Sequence, residues 1–184
     1  VSIARRHADR VIICKNRGIG HQQNEAAQIA KGDILFFPQA DTLLPRNALR
    51  ELHNHLEKNE DVSHGTFVIH FEENGIRSRT FNKLAMTILK APYLQVLSGV
   101  GIFVRKDHFH AVNGFRNIIC EDVEIATRLK KFGKRGLIEN PKLIASSRRF
   151  QKEGYLKTVL SWTKHYILIK FNRPIHIKRY TVIR

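Results

Sequence analysis

Residues 31–42, Lys31-Gly32-Asp33-Ile34-Leu35-Phe36-Phe37-Pro38-Gln39-Ala40-Asp41-Thr42, constrain the fold more than any other stretch of this chain. Ile34 to Phe37 is an apolar run of the right length for a buried strand and too short for a helix. Gly32 closes the segment before it, and Pro38 cannot continue a central ladder. A single carboxylate, Asp41, follows at the carboxyl end of the strand. In open α/β sheets that end is where ligands bind.

The pattern around this strand alternates. A helix end over 1–9, a short strand at Val11-Ile12-Ile13-Cys14 and a helix over 21–30 precede it. A helix entered at Pro45 and ending near Lys58 follows, then a strand over 64–71 and a turn at Asn74-Gly75. Next come a helix over 80–89, a strand over 100–104 and a short helix capped by Asp107 and ending at Gly114. In 121–132, Val123, Ala126, Leu129 and Phe132 share one side of a helix that Gly133 stops. Two short strands, 137–138 and 142–145, and one long amphipathic helix over 153–171 complete the reading. Strands alternating with helices predict an α/β layer fold.

Composition narrows the partners. The 184 residues are 42% hydrophobic, enough for a core and against disorder. No run of eighteen apolar residues occurs, and the first ten residues have no apolar signal-peptide segment. Lys and Arg outnumber Asp and Glu by 32 to 16, giving a formal charge of +16. The expected partner is anionic: nucleotide phosphates, a lipid phosphate, an acidic membrane surface or nucleic acid. Cys14 and Cys120 lie far apart and lack metal spacing; they read as buried free thiols of a reducing cytoplasm, with a disulfide as the lesser alternative. His53 and His55, like His108 and His110, stand two apart and do not share a helix face, so no zinc site is expected there. Gly18-x-Gly20 falls short of a dinucleotide fingerprint.

Four blocks, in order, resemble glycosyltransferase family 2, whose members invert the anomeric centre of nucleotide-diphosphate sugars. They are Gly20-His21-Gln22-Gln23-Asn24-Glu25-Ala26-Ala27 with Lys31-Gly32-Asp33, and Gln39-Ala40-Asp41-Thr42-Leu43-Leu44-Pro45. The others are Gly99-Val100-Gly101-Ile102-Phe103-Val104-Arg105 through Asn113-Gly114-Phe115, and Glu121-Asp122-Val123-Glu124-Ile125-Ala126-Thr127-Arg128-Leu129. Ser146-Ser147-Arg148-Arg149-Phe150 is similar to the basic block of small members. The resemblance implies an A-type, Rossmann-like glycosyltransferase fold, with a catalytic domain over 1–153 and a basic amphipathic helix and tail over 154–184. Relative to the family the chain begins inside the second helix, so an N-terminal strand, helix and strand of about forty residues are expected to be missing. The sheet edge thus left open is expected to bring pairing with another chain as an oligomer, marginal stability or poor donor binding.

The resemblance also assigns roles. Asp41 is the last acid of the family's Asp-x-Asp motif and the expected ligand of a divalent cation, Mn2+ or Mg2+. Gln39 stands where that motif has its first acid, a neutral and weaker ligand. Asp122 is the expected general base for the acceptor. Gln23, Asn24, Gln39, Asp41, Arg148 and Arg149 are assigned to the donor; Gly99, Gly101, Glu121 and Phe150 to the acceptor. The residues alone carry plainer readings: Asp41 caps a helix, Glu121 and Asp122 are ordinary first-turn acids, the arginines a solvated face, Gln23 and Asn24 a polar helix side, and the glycines packing aids. The expected partners are a nucleotide-diphospho-sugar donor, a saccharide or lipid acceptor and an acidic membrane. The expected location is the cytoplasm or its membrane face. A non-catalytic relative and a basic nucleic-acid-binding module remain as alternatives, the second without any helix-turn-helix or zinc-finger signature.

Overall fold

The computed structural model describes residues 1–71 and 76–173, with the side chains of 76–78, 92 and 149 left aside. In chain order the elements are α1 (Ser2–His7), α2 (Ile19–Ile29), β1 (Ile34–Pro38), β2 (Thr42–Leu43), α3 (Ala48–Lys58), β3 (Val62–Phe71) and α4 (Ile76–Lys90). After a 3-10 turn at Pro92–Leu94 come β4 (Gly101–Arg105), α5 (Lys106–Ala111) and α6 (Glu121–Leu129). A second 3-10 turn, Lys130–Phe132, leads to β5 (Lys134–Ala145), α7 (Arg148–Glu153) and α8 (Tyr155–Lys170).

The five strands form one mixed sheet in the order β1-β4-β3-β5-β2. Only β3 and β5 run parallel; the other neighbours are antiparallel. Pro38 is tolerated because β1 lies at an edge, opposite Gly101 of β4. Alternation along β1 and β4 divides the core in two. Leu35, Phe37, Ile102 and Val104 point to one face, where Ala27 of α2, Phe109 of α5 and Ile125, Ala126 and Leu129 of α6 cover them. Phe103 with Phe67, Ile138 and Leu143 points to the other face, under Leu52 and Leu56 of α3. A third cluster joins Phe71, Phe81, Ala145 and Phe150, with Tyr155 and Val159 of α8 against it.

Several expectations are corrected. Residues 11–14 form no strand, and Ile12 and Ile13 are exposed, because no described strand lies beyond β1 to pair with them. The two short strands after Gly133 are one twelve-residue strand, its register against β3 shifting between Phe67 and Ile69 across the cis Asn140-Pro141 bond. The expected C-terminal helix is α8, which starts at Tyr155; Gly154, whose φ of 83° suits glycine, sets it off from the short α7 before it. Asp107 does not cap α5: its carboxylate accepts from the next residue's N–H, within the helix. The Asn74-Gly75 turn lies outside the described residues, as do Lys178, Arg179 and Arg184 of the tail.

Candidate active site

The candidate site is built where β1 and β4 end side by side. Antiparallel pairing sets Pro38 against Gly101, so the segments leaving β1 and entering β4 emerge together. Gln39 crosses the gap, its Nε2 donating to the Gly99 carbonyl at 3.0 Å. Asp122, in the first turn of α6, reaches the same place. A Cβ at Gly99 would lie 3.2 Å from Asp122 Oδ2 and 3.8 Å from Gln39 Nε2. Gly99 is thus a glycine because the carboxylate of Asp122 fills the space a side chain would need. Gly101, by contrast, is pressed by Leu143, whose Cδ1 would be 2.3 Å from a Cβ; it serves the packing of β4.

The segment that carries Gly99 is held from three sides. Arg135 of β5 donates to the carbonyls of Leu89 at 2.6 Å and Val96 at 2.5 Å. Thr66 Oγ1 of β3 lies 3.2 Å from the Ser98 carbonyl and 3.3 Å from that of Gly101. Tyr166 of α8 donates to the Leu94 carbonyl at 3.1 Å. None of these contacts was read from the sequence. Each joins residues more than thirty positions apart, and periodicity carries no such information.

Asp122 sits in a position built to perturb it. Burial pushes its carboxyl from 3.8 up to about 6, against the backbone N–H groups of Val123, Asp122 itself and Gly99, which favour the charged form. The Val123 N–H donates to Oδ1 at 2.9 Å. Before the helix, Cys120 takes a left-handed conformation, φ 60° and ψ 43°, that turns the chain into α6. Its thiol is buried and, by burial and then the neighbouring acids, raised above the usual range. A carboxylate with a pKa near 6 is ionised at neutral pH and still basic enough to take a proton. Glu121 is buried beside it. Glu124, an acid of the same block, has a different task. It ties Arg128 at 2.6 Å and Arg116 at 3.2 Å, and Arg128 in turn donates to the carbonyls of Val112 and Gly114.

Asp41, two residues beyond Gln39, is half exposed, with its Oδ2 3.5 Å from the guanidinium of Arg148 at the start of α7. The structure therefore joins the expected acid to one of the expected arginines. The Arg149 side chain lies outside the described residues. Asn24 is drawn into the scaffold: its Nδ2 donates to the Phe115 carbonyl at 2.9 Å, and its Oδ1 accepts from the Phe115 N–H at 2.8 Å. Gln23 is half-buried on the same helix, α2. Phe150 is 4% exposed and stacks on Tyr155 with centroids 5.3 Å apart, inside the third cluster.

Among the described residues, no three His, Cys, Asp or Glu side chains converge as a metal-binding group. The two residues expected at a divalent cation are Asp41, whose carboxylate faces Arg148, and Gln39, whose amide nitrogen is bonded to Gly99. Magnesium-like ions are commonly held by one or two carboxylates together with substrate phosphates, and the chemistry of a single carboxylate such as Asp41 is compatible with that.

The family model for glycosyl transferase family 2 matches residues 1–112. The chain belongs to this family. Gln23, Asn24, Gln39, Asp41, Gly99 and Gly101 fall within the matched range, and Glu121, Asp122, Arg148, Arg149 and Phe150 beyond it. Among solved structures, the chain is similar to the mannosyltransferase PcManGT from Pyrobaculum calidifontis in complex with GDP-Man and Mn2+. The TM-score is 0.59 at 19% identity, covering 89% of this chain and 46% of that one. It is also similar to S. aureus TarS. The 1–349 structure gives a TM-score of 0.54 at 15% identity, over 82% of this chain and 45% of that one. A second TarS structure gives 0.54 at 13%, over 83% and 30%. No curated protein matches the chain significantly. These likenesses establish the fold: an α/β, Rossmann-like A-type glycosyltransferase sheet. The chain spans less than half the length of each of these structures.

Proposed function

We propose that the chain transfers a sugar from a nucleoside-diphosphate donor to an acceptor hydroxyl or lipid phosphate, with inversion at the anomeric carbon. The observation that carries this reading is Asp122, a carboxylate raised to about 6, packed against Gly99 beside Gln39 at the mouth of the sheet. In an in-line displacement the acceptor oxygen loses its proton to Asp122 as it attacks, and the nucleoside diphosphate departs from the opposite face. Arg148 offers a guanidinium fork to the departing phosphates. A divalent cation, Mn2+ or Mg2+, would be held by Asp41 and Gln39 and would neutralise the diphosphate. The family membership and the neighbour described with GDP-Man and Mn2+ support a nucleotide-sugar donor.

A non-catalytic reading is favoured by one observation: Gln39 replaces an acid with an amide already bonded to Gly99. A thermal-shift panel of nucleoside diphosphates and their sugars, with and without Mn2+, tests the donor site. A ligand at one hundred times its Kd adds about 2.7 kcal/mol of stability. The transfer reading expects a Mn2+-dependent shift that is lost in Asp41→Ala. No shift with any nucleotide would contradict it and leave the non-catalytic reading.

A further inference from the structure

We propose that the outer face of α8 docks on the surface of an anionic phospholipid bilayer. The helix has two different sides. Tyr155, Val159 and Trp162 face inward, where Phe150 and Phe81 meet them. The opposite side carries Leu156 at 73% exposure, Leu160 at 60% and Ile167 at 48%, with Phe171 at 69% just past the helix end. At 3.6 residues per turn these four fall within an arc of about 60° and form one apolar stripe. Nothing among the described residues covers it.

Charge decides what covers it. The exposed Lys157 and Lys164 lie along one border of the stripe, and Lys170 lies along the other. Arg173 follows, and no Asp or Glu occurs after Glu153. An apolar stripe between cationic borders matches the boundary between acyl chains and acidic headgroups: the side chains enter the apolar layer while the ammonium groups remain among the phosphates. A second copy of this chain would bring lysines against lysines. No helix among the described residues is long and apolar enough to cross a membrane, so the contact is peripheral. Docking does not depend on the transfer reaction. It would, however, bring the segment leading to Gly99 close to lipid, since Tyr166 of the same helix holds the Leu94 carbonyl.

Cosedimentation with vesicles of phosphatidylserine and phosphatidylcholine, at about 3:7, tests the proposal. The wild-type chain is expected to sediment with these vesicles and not with pure phosphatidylcholine, and to be released by salt. Leu160→Ser/Ile167→Ser alters exposed positions only, and circular dichroism checks that the fold is kept. This variant is expected to lose at least about tenfold in partitioning. Lys157→Gln/Lys164→Gln is expected to lose roughly fivefold per residue. Wild-type sedimentation by the double serine variant would overturn the proposal. So would a concentration-dependent dimer in light scattering that the serine changes dissolve, without any vesicle binding.

Discussion

Asp122 is one acid among three in the first turn of α6, and only its surroundings distinguish it. By residue type and position alone Glu121, Asp122 and Glu124 are ordinary first-turn acids, and only the family resemblance sets Asp122 apart. The fold packs the carboxylate of the half-buried Asp122 against Gly99, pairs Glu124 with two arginines and encloses Glu121. The shift of Asp122 from 3.8 to about 6 has a consequence for stability. The folded chain holds this proton to a higher pH than the unfolded chain does. Stability is therefore full below about pH 4 and declines as pH rises through 6. Asp122→Asn removes that loss. In urea unfolding the variant is expected to match the wild type near pH 4 and to exceed it by about 3 kcal/mol at pH 8. Equal stabilities at both pH values would contradict the burial of this carboxylate.

Elements were legible in the sequence where a local pattern decides them. β1 follows from an apolar run ended by proline, and α6 from its stripe of Val123, Ala126 and Leu129. The isolated run Val11-Ile12-Ile13-Cys14 misled, because strand character is realised only beside a partner strand and none is described there. The length of β5 was hidden by Pro141, which local rules read as a break and which β5 accommodates where the register shifts. The site was legible only in part. Asp41 and Asp122 carry signals in their neighbours along the chain, whereas Thr66 and Arg135 act on segments more than thirty residues away. The setting of α6 rests on the Glu124–Arg128 pair, whose arginine also binds the carbonyls of Val112 and Gly114. Glu124→Gln leaves that arginine without its charge partner and is expected to cost about 3 kcal/mol in chemical denaturation. A loss under 1 kcal/mol would place the pair among ordinary surface bridges.

At the scale of the whole molecule, two sheet faces and one aromatic cluster bring distant segments to a common mouth. Phe150 shows how a site assignment and a packing role compete. The resemblance assigns it to the acceptor, while its 4% exposure and its contacts with Phe71, Phe81, Tyr155 and Trp162 make it the joint between the sheet, α4, α7 and α8. Phe150→Ala is accordingly expected to destabilise the fold by about 3–5 kcal/mol in denaturant. An unchanged midpoint together with weakened acceptor binding would instead favour the acceptor role. What this mouth does is read most directly from the pH dependence of nucleoside diphosphate release from the donor found by thermal shift. kcat/KM is expected to rise through about pH 6, where Asp122 ionises, and to level off above it. In Asp122→Asn the rate should fall by about 10²–10⁴-fold. Release by the Asn variant at the wild-type rate, or a wild-type profile flat across pH 6, would contradict this role of Asp122.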